Sequence, residues 1–451
     1  MNSNTDNQEI VHLVSLGCVR NLVDSELILG ALASGGFALT EDPAEAETII
    51  INSCGFVRAA VDETIDVVLE MAHYKEEGRC QRLVLCGCMA QRYGKELEEA
   101  LPELDMVIGP GAHKDIVELL RRPTGFICQV PDPSTAPLQQ ASFPRICSTP
   151  HMAYIKISEG CPDRCTFCMI PQLRGAWRSR PLDDIVEEAG NLIQWGAKEI
   201  ILVAQDTTAY GLDFDKQNRT SLDQLLSSLC RLEGETRFRF LYGHPNRVTD
   251  ALLETAASQP RVCSYFDLPV QHGSDRILKM MGRKNTRDEM LRLFEKIRAT
   301  VPDVALRTTA LVGFPGETEE DFNQLVEFVQ EARFDHLGVF AYSDAEEIPS
   351  HRLPNHVPED TAVKRRDYIM DRQNTISLDN NADRVGKIYT ALVLGESGDP
   401  EYPYWGKTCL QAPDVDGVTL IQGEDLEPGR LARVTVHGAD VYDLLAETKD
   451  E

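Results

Sequence analysis

Three cysteines stand within eight residues in the run Glu159-Gly-Cys161-Pro-Asp-Arg-Cys165-Thr-Phe-Cys168, three residues apart and then two. A thiolate triad this compact can hold a metal centre, but a closed structural zinc site needs four ligands and usually draws on C-x2-C pairs or histidines. No fourth ligand stands nearby in the sequence. A 4Fe-4S cluster also takes four ligands as a rule, so three protein thiolates leave one iron free to bind something from solution. An open coordination position implies chemistry. A redox-inert zinc knuckle and three unrelated buried cysteines are the competing readings of the spacing alone.

At 451 residues the chain is too long for one core and should divide into two to four domains. It is 42% hydrophobic and 26% charged, the profile of a soluble globular protein. No apolar stretch is long enough to span a bilayer, and the polar start MNSNTDNQEI lacks the basic and apolar regions of a signal peptide. The expectation is a cytoplasmic protein with no membrane partner. In that reducing compartment thirteen cysteines read as metal ligands and free thiols rather than as a disulfide framework. The net charge of −27, from 72 acidic against 45 basic side chains, repels polyanions and attracts a basic partner. It disfavours nucleic acid as the main ligand without excluding a local basic groove, and acidity that serves solubility alone is the alternative.

The first part of the chain alternates short apolar runs with helical periodicity, the α/β signature. Strands are expected at 10–16, 48–51, 83–86 and 106–108, with amphipathic helices at 57–74 and 91–101. The first three strands run into loops that carry Cys18, Cys54 and the pair Cys86-Gly-Cys88. In an open parallel sheet, ligands bind outside the carboxyl ends of the strands, so these loops should converge and make a second three-thiolate site. Cys86 is the weaker of its pair, since it should lie within the strand and point into the core. The alternative is that small cysteines merely suit glycine-flanked strand ends. Residues 124–146 are proline-rich and aperiodic, a linker. Six further strands, at 153–157, 199–204, 237–242, 265–268, 305–312 and 336–341, alternate with helices as in an incomplete β/α barrel. The compact triad follows the first of them, at the carboxyl end where barrel active sites collect. A helix through 361–378 leads to short strands at 388–394, 404–409, 418–421 and 431–437, which suggest a small antiparallel barrel.

Three blocks together resemble one family: Ser15-Leu-Gly-Cys18-Val-Arg-Asn-Leu-Val-Asp-Ser-Glu26, Cys88-Met-Ala-Gln-Arg-Tyr93, and Ile157-Ser-Glu-Gly-Cys161 through Arg178-Ser-Arg-Pro181. They look like the radical S-adenosylmethionine methylthiotransferases, and the first block with its Ser-Glu-Gly-Cys partner points to the RimO branch. That resemblance covers the whole chain. It implies an amino-terminal cluster domain over 8–123, the linker 124–146, a radical barrel over 147–379 and a TRAM barrel over 380–451. It implies a transferase of sulfur-containing groups that modifies an aspartate β-carbon in ribosomal protein S-twelve. Its implied cofactors are two 4Fe-4S clusters and S-adenosyl-L-methionine. Cys161, Cys165 and Cys168 would bind the cluster that cleaves S-adenosylmethionine, and Cys18, Cys54 and Cys88 the cluster that holds the sulfur. A low-potential electron donor and a sulfur donor would be partners. Beyond the cluster ligands no catalytic residue is implied.

Other strand-end residues are candidates for the cofactor pocket: Gln205 and Asp206 after the second barrel strand, Gln271 after the fourth, and Arg307 and Gly313 around the end of the fifth. An arginine can pair with the cofactor carboxylate, and glycine lets backbone approach a ligand. Each also has a reading as turn or packing residue. His272 reads as a loop hydrogen-bond partner, and Met280 and Met281 as helix core. Glu159 stands where RNA-modifying relatives often carry a basic residue, and the segment 384–451 holds thirteen acidic against six basic residues, an unsuitable surface for phosphate. Competing readings are the same chemistry on an adenosine of transfer RNA and a non-catalytic iron-sulfur carrier. Cys80, Cys128, Cys147, Cys230, Cys263 and Cys409 lack a paired spacing and read as structural thiols, and Cys86 is likewise given no role. Nothing in the sequence demands more than a monomer.

Overall fold

The computed structural model describes residues 8–123, 125–217 and 219–449. The amino-terminal sheet holds β1 (Ile10–Ser15), β2 (Ala38–Leu39), β3 (Thr48–Ser53), β4 (Arg82–Gly87), β5 (Met106–Ile108) and β6 (Ile127–Gln129) in the order β2-β1-β3-β4-β5-β6, all parallel. Its central strand, Thr48-Ile-Ile-Ile-Asn-Ser53, is buried at every position, as a strand covered on both faces must be. Ile49, Ile51, Leu83 and Leu85 pack to one side, while Ile50, Val84, Cys86 and Ile108 pack to the other with Ile28 and Leu32 of the helix Val19–Ser34. Cys86 is thus a core thiol. The strand order reverses between β1 and β3, and such a switch point opens a crevice at the carboxyl ends.

From residue 125 on, the proline-rich stretch read as a linker is anchored to its neighbours. It adds β6 to the edge of the sheet, and then Arg145 ion-pairs with Glu26 at 2.6 Å and Glu188 at 2.8 Å. Prolines stiffen this strap, and its polar side chains fasten it to both neighbouring domains. The helix expected over 91–101 is likewise interrupted. It forms as Cys88–Tyr93 and Leu97–Ala100, separated at Gly94, whose φ of 51° no regular right-handed helix accommodates.

The second domain contains β7 (Met152–Lys156), a small hairpin of β8 (Ser158–Glu159) and β9 (Arg178–Ser179), then β10 (Glu199–Val203), β11 (Arg237–Phe240), β12 (Tyr265–Asp267), β13 (Ala305–Val312) and β14 (His336–Ala341). The six barrel strands are parallel and lie in chain order as two triplets, which meet at a bridge between Phe238 and Val262. Helices cover the outside, where Ile200, Leu202, Phe238, Phe240, Phe266 and Leu306 join the main core. This is an incomplete β/α barrel.

The terminal domain closes β15 (Ile388–Glu396), β16 (Tyr404–Lys407), β17 (Thr419–Gln422), β19 (Leu444–Thr448) and β18 (Leu431–Ala439) into a five-stranded barrel. Four neighbouring pairs are antiparallel, as expected, but β17 and β19 are parallel. The hairpin of β18 and β19 brings β19 back in the same direction as β17. The loop after β16 enters the foot of the radical barrel: Leu410 and Ala412 pack with the inward-facing Ile201, Val203, Cys263 and Tyr265. Arg237 and Arg239 there donate to the carbonyls of Lys407, Thr408 and Cys409. The terminal barrel therefore plugs the amino-terminal end of the barrel, and the carboxyl end faces the amino-terminal domain.

Candidate active site

Cys18, Cys54 and Cys88 converge at the switch point. Cys18 caps the helix Val19–Ser34, and Cys88 opens the helix Cys88–Tyr93. Gly17 has a φ of +87°, and a Cβ on it would lie 2.8 Å from Cys54 Cβ, so only glycine lets the first two loops approach. Asn21 ties the loops together by donating to the carbonyls of Leu16 at 3.1 Å and Ser53 at 2.9 Å. Each of the three thiols lies in the electrostatic field of the others. Burial alone would raise Cys18, but Arg20 and Arg174 outweigh it and bring that thiol down to about 7. Burial raises Cys54 and Cys88.

Cys161, Cys165 and Cys168 occupy the loop beyond β8, at the carboxyl end of the barrel, and are likewise in one another's field. Burial raises Cys161 to about 11 and Cys168 to about 12. It raises Cys165 as well, against the opposing charge of Arg283, whose Nη1 lies 3.9 Å from the sulfur. Thiols held up in this way become thiolates when a bound metal centre compensates the charge. Among the described residues no three His, Cys, Asp or Glu side chains are gathered as they would be around a single metal ion. A cluster spreads its cysteines around several irons rather than one point. Each of these open three-thiol sets could hold such a cluster.

The two sets adjoin. Met169, the residue after Cys168, joins Cys88, Leu173 and Ile348 in one small apolar cluster flanked by Phe56 and Tyr342. Around it lies a buried charge network. Lys156 binds both Asp24 and Glu159, the latter at 2.7 Å, and Arg174 binds Asp24 at 2.8 Å. Glu159, read from sequence as a mark of substrate choice, is an internal partner of Lys156, with Gln205 Nε2 at 3.3 Å from its other oxygen. The Gln205 Oε1 is buried without a partner among the described residues, a free acceptor at the barrel mouth.

The remaining pocket candidates separate. Asp206 is buried and engaged: it accepts from Thr208 Oγ1 at 2.6 Å and from Arg247, which also grips Asp163 of the cysteine loop at 2.8 and 2.9 Å. It steadies that loop through Arg247. Gln271 sits at the mouth with a φ of 74° and bridges to Ala310. Arg307 is not at the end of its strand. It lies in the first half of β13 and is committed to Asp267 at 3.0 Å, with Asp416 of the terminal barrel at 3.6 Å. Gly313 serves packing rather than ligand approach, since a Cβ there would lie 2.3 Å from Ala362 Cβ. His272 accepts from the Ser274 N–H at 2.9 Å, a loop partner as expected. Met281 is fully buried, and Cys263 and Cys409 meet at the barrel foot with sulfurs 2.8 Å apart.

Sequence reading gave no role to Arg20, Asn21, Asp24, Lys156 or Arg174. The first three stand within six residues of Cys18 at the start of a helix, and Arg174 stands six residues after Cys168. A buried-charge signal was therefore present beside each motif.

Comparison with known proteins agrees with this architecture. Residues 10–109 match uncharacterized protein family UPF0004, residues 155–329 the radical SAM superfamily, and residues 385–448 the TRAM domain. The ribosomal protein uS12 methylthiotransferase RimO of Desulfosudis oleivorans is 47% identical over 97% of this chain and 100% of its own length. The protein of the same name from Clostridioides difficile is 42% identical over 97% of this chain and 98% of its length. Among solved structures, the radical S-adenosylmethionine methyltransferase TsrM from Kitasatospora setae, with cobalamin and a [4Fe-4S] cluster bound, shares the fold at a TM-score of 0.55 and 16% identity, over 76% of this chain and 77% of that one. With full-length identity at this level and the radical SAM and TRAM domains in place, the chain belongs to the RimO family of radical SAM methylthiotransferases.

Proposed function

We propose that the protein inserts a methylthio group at the β-carbon of an aspartate in ribosomal protein uS12. On this reading Cys161, Cys165 and Cys168 hold the 4Fe-4S cluster that binds S-adenosylmethionine, and Cys18, Cys54 and Cys88 hold a second one that presents sulfur. When bound, these groups supply the radical that removes hydrogen from an unactivated carbon, together with the sulfur and the methyl group. The observation that carries the reading is the shared apolar cluster of Cys88 and Met169, in which a thiol of one set packs with the residue next to Cys168 of the other.

The protein's own residues orient and exclude. Arg247 and Asp206 hold the loop that carries Cys161. Met169, Leu173 and Ile348 make the contact between the two sets buried and apolar, which suits chemistry in which a carbon radical must be protected from side reactions. The acidic surface supports a basic protein substrate. Among the described residues of the terminal barrel, the buried charges are two basic residues, Arg384 and Lys407, and the Asp416 side chain, which leaves the exposed face more acidic than basic. A ribosomal protein substrate also places the enzyme in the cytoplasm, and among the described residues no helix is long and apolar enough to cross a membrane. A low-potential electron donor and a sulfur donor complete the partners.

The test is anaerobic turnover of reconstituted protein with S-adenosylmethionine, reductant and sulfide, offered a uS12 loop peptide and bulk transfer RNA together and read by mass spectrometry. A methylthio gain on the peptide aspartate alone is expected. The same gain on adenosine alone would keep the chemistry and overturn the substrate. Cys165→Ala should abolish 5′-deoxyadenosine formation, and retention of cleavage would remove the radical cluster from these cysteines.

A further inference from the structure

Arg174 ends the short helix Ile170–Arg174 that follows Cys168, and its guanidinium crosses into the amino-terminal domain. Nη1 donates to Asp24 Oδ2 at 2.8 Å, Nη2 to Asn21 Oδ1, and Nε to Cys88 Sγ at 3.3 Å. The side chain is only 4% exposed. Lys156 binds the other oxygen of Asp24 and also Glu159, so two buried carboxylates are matched by two buried cations, of which Arg174 is one. The fork is thus held at both Nη atoms while Nε–H is aimed at sulfur, an orientation that lysine cannot reproduce. Arg20 makes the reverse crossing. It stands two residues after Cys18, donates to the Ala204 carbonyl beyond β10 at 2.9 Å, and places its charge in the field of Cys168. Each cysteine set therefore has an arginine from the other domain or reaching toward it.

A buried cation favours the more negatively charged, reduced state of a neighbouring redox centre, and a hydrogen bond to a ligand sulfur acts in the same direction. We infer that Arg174 is a positioning residue that poises the amino-terminal cluster: it orients Cys88 across the domain boundary and raises the reduction potential at that site. The inference rests on the proposed assignment of Cys18, Cys54 and Cys88 as cluster ligands. It gives the helix after Cys168 a second task, since any shift of the radical loop would move the donor to the other site.

The experiment uses the full-length chain with Cys161, Cys165 and Cys168 all replaced by alanine, so that reconstitution loads only the amino-terminal site. Iron content and the midpoint potential, followed by electron paramagnetic resonance during a redox titration, are compared with those of the same protein carrying Arg174→Met or Arg174→Lys. Full iron loading with a potential shifted downward is expected for Arg174→Met, and a smaller downward shift for Arg174→Lys, which keeps a cation for Asp24 but loses the directed Nε–H. Should Arg174→Met fail to fold, Arg174→Lys carries the test. A parent protein that loads its cluster with a potential indifferent to both substitutions would overturn the inference alone. A parent that takes up no iron would overturn the ligand assignment, and the inference with it.

Discussion

Glu199, whose side chain has no exposed surface, holds two buried guanidiniums at the foot of the barrel, with Arg239 at 2.7 Å and Arg237 on its other oxygen. Burial would raise its carboxyl, but the two arginines outweigh that and hold it below the usual range. Breaking such a set by removing one partner costs about 3–5 kcal/mol, because the remaining charges stay buried and uncompensated. Glu199→Gln is therefore expected to lower the denaturation midpoint strongly in urea, and an unchanged midpoint would show that the arginines find other partners. At this scale the compact cysteine triad was legible, because its members are neighbours in sequence. The charge network beside it was not: Asp24 and Lys156 are separated by 132 positions and Asp24 and Arg174 by 150. Arg307 misled for the same reason. A strand arginine looks available for a cofactor carboxylate until the fold places Asp267 and a terminal-barrel aspartate against it.

The sequence reading gave bounds to the barrel strands but not to the helices between them, although two of those helices carry strong local signals. The helices Arg287–Thr300 and Glu319–Ala332 start with capping boxes at Thr286 and Thr318, whose side chains satisfy otherwise free backbone donors. The parallel strands announced themselves as apolar runs. The short β2, β6 and β19 did not, since two or three residues carry too little pattern and β19 is specified by the barrel it closes. Gly313 shows how one turn fixes a long element. Its φ is +76°, and it touches Ala362 on the helix Glu359–Ala382, the connection to the terminal barrel. Gly313→Val combines a left-handed backbone penalty with overpacking and should cost about 2–4 kcal/mol. Adding Ala362→Gly should recover the packing part only. Chemical denaturation of the single and double variants checks both statements, and full recovery would mean that backbone strain contributes nothing.

For the whole molecule, the net charge of −27 predicts a salt-dependent encounter with a basic substrate. Surface fields are screened beyond roughly 8 Å at physiological ionic strength, so raising salt should increase KM for the uS12 peptide several-fold while leaving kcat unchanged. A KM insensitive to salt would show that the acidic surface serves solubility alone. The plug formed by Leu410 and Ala412 makes the three domains one working unit. The terminal barrel closes one end of the radical barrel, and the amino-terminal domain faces the other.

By itself the sequence determined most of the strands, the architecture of an open sheet, a partial barrel and a small terminal barrel, and the meeting of Cys18, Cys54 and Cys88, because these rest on periodicity and on residues at strand ends. Only the tertiary structure decided that the proline-rich strap is anchored, that Glu159 and Arg307 are internal partners, and that Arg174 reaches Cys88. Those facts depend on which buried charges meet, and a buried charge is stabilised by partners that chain order does not reveal.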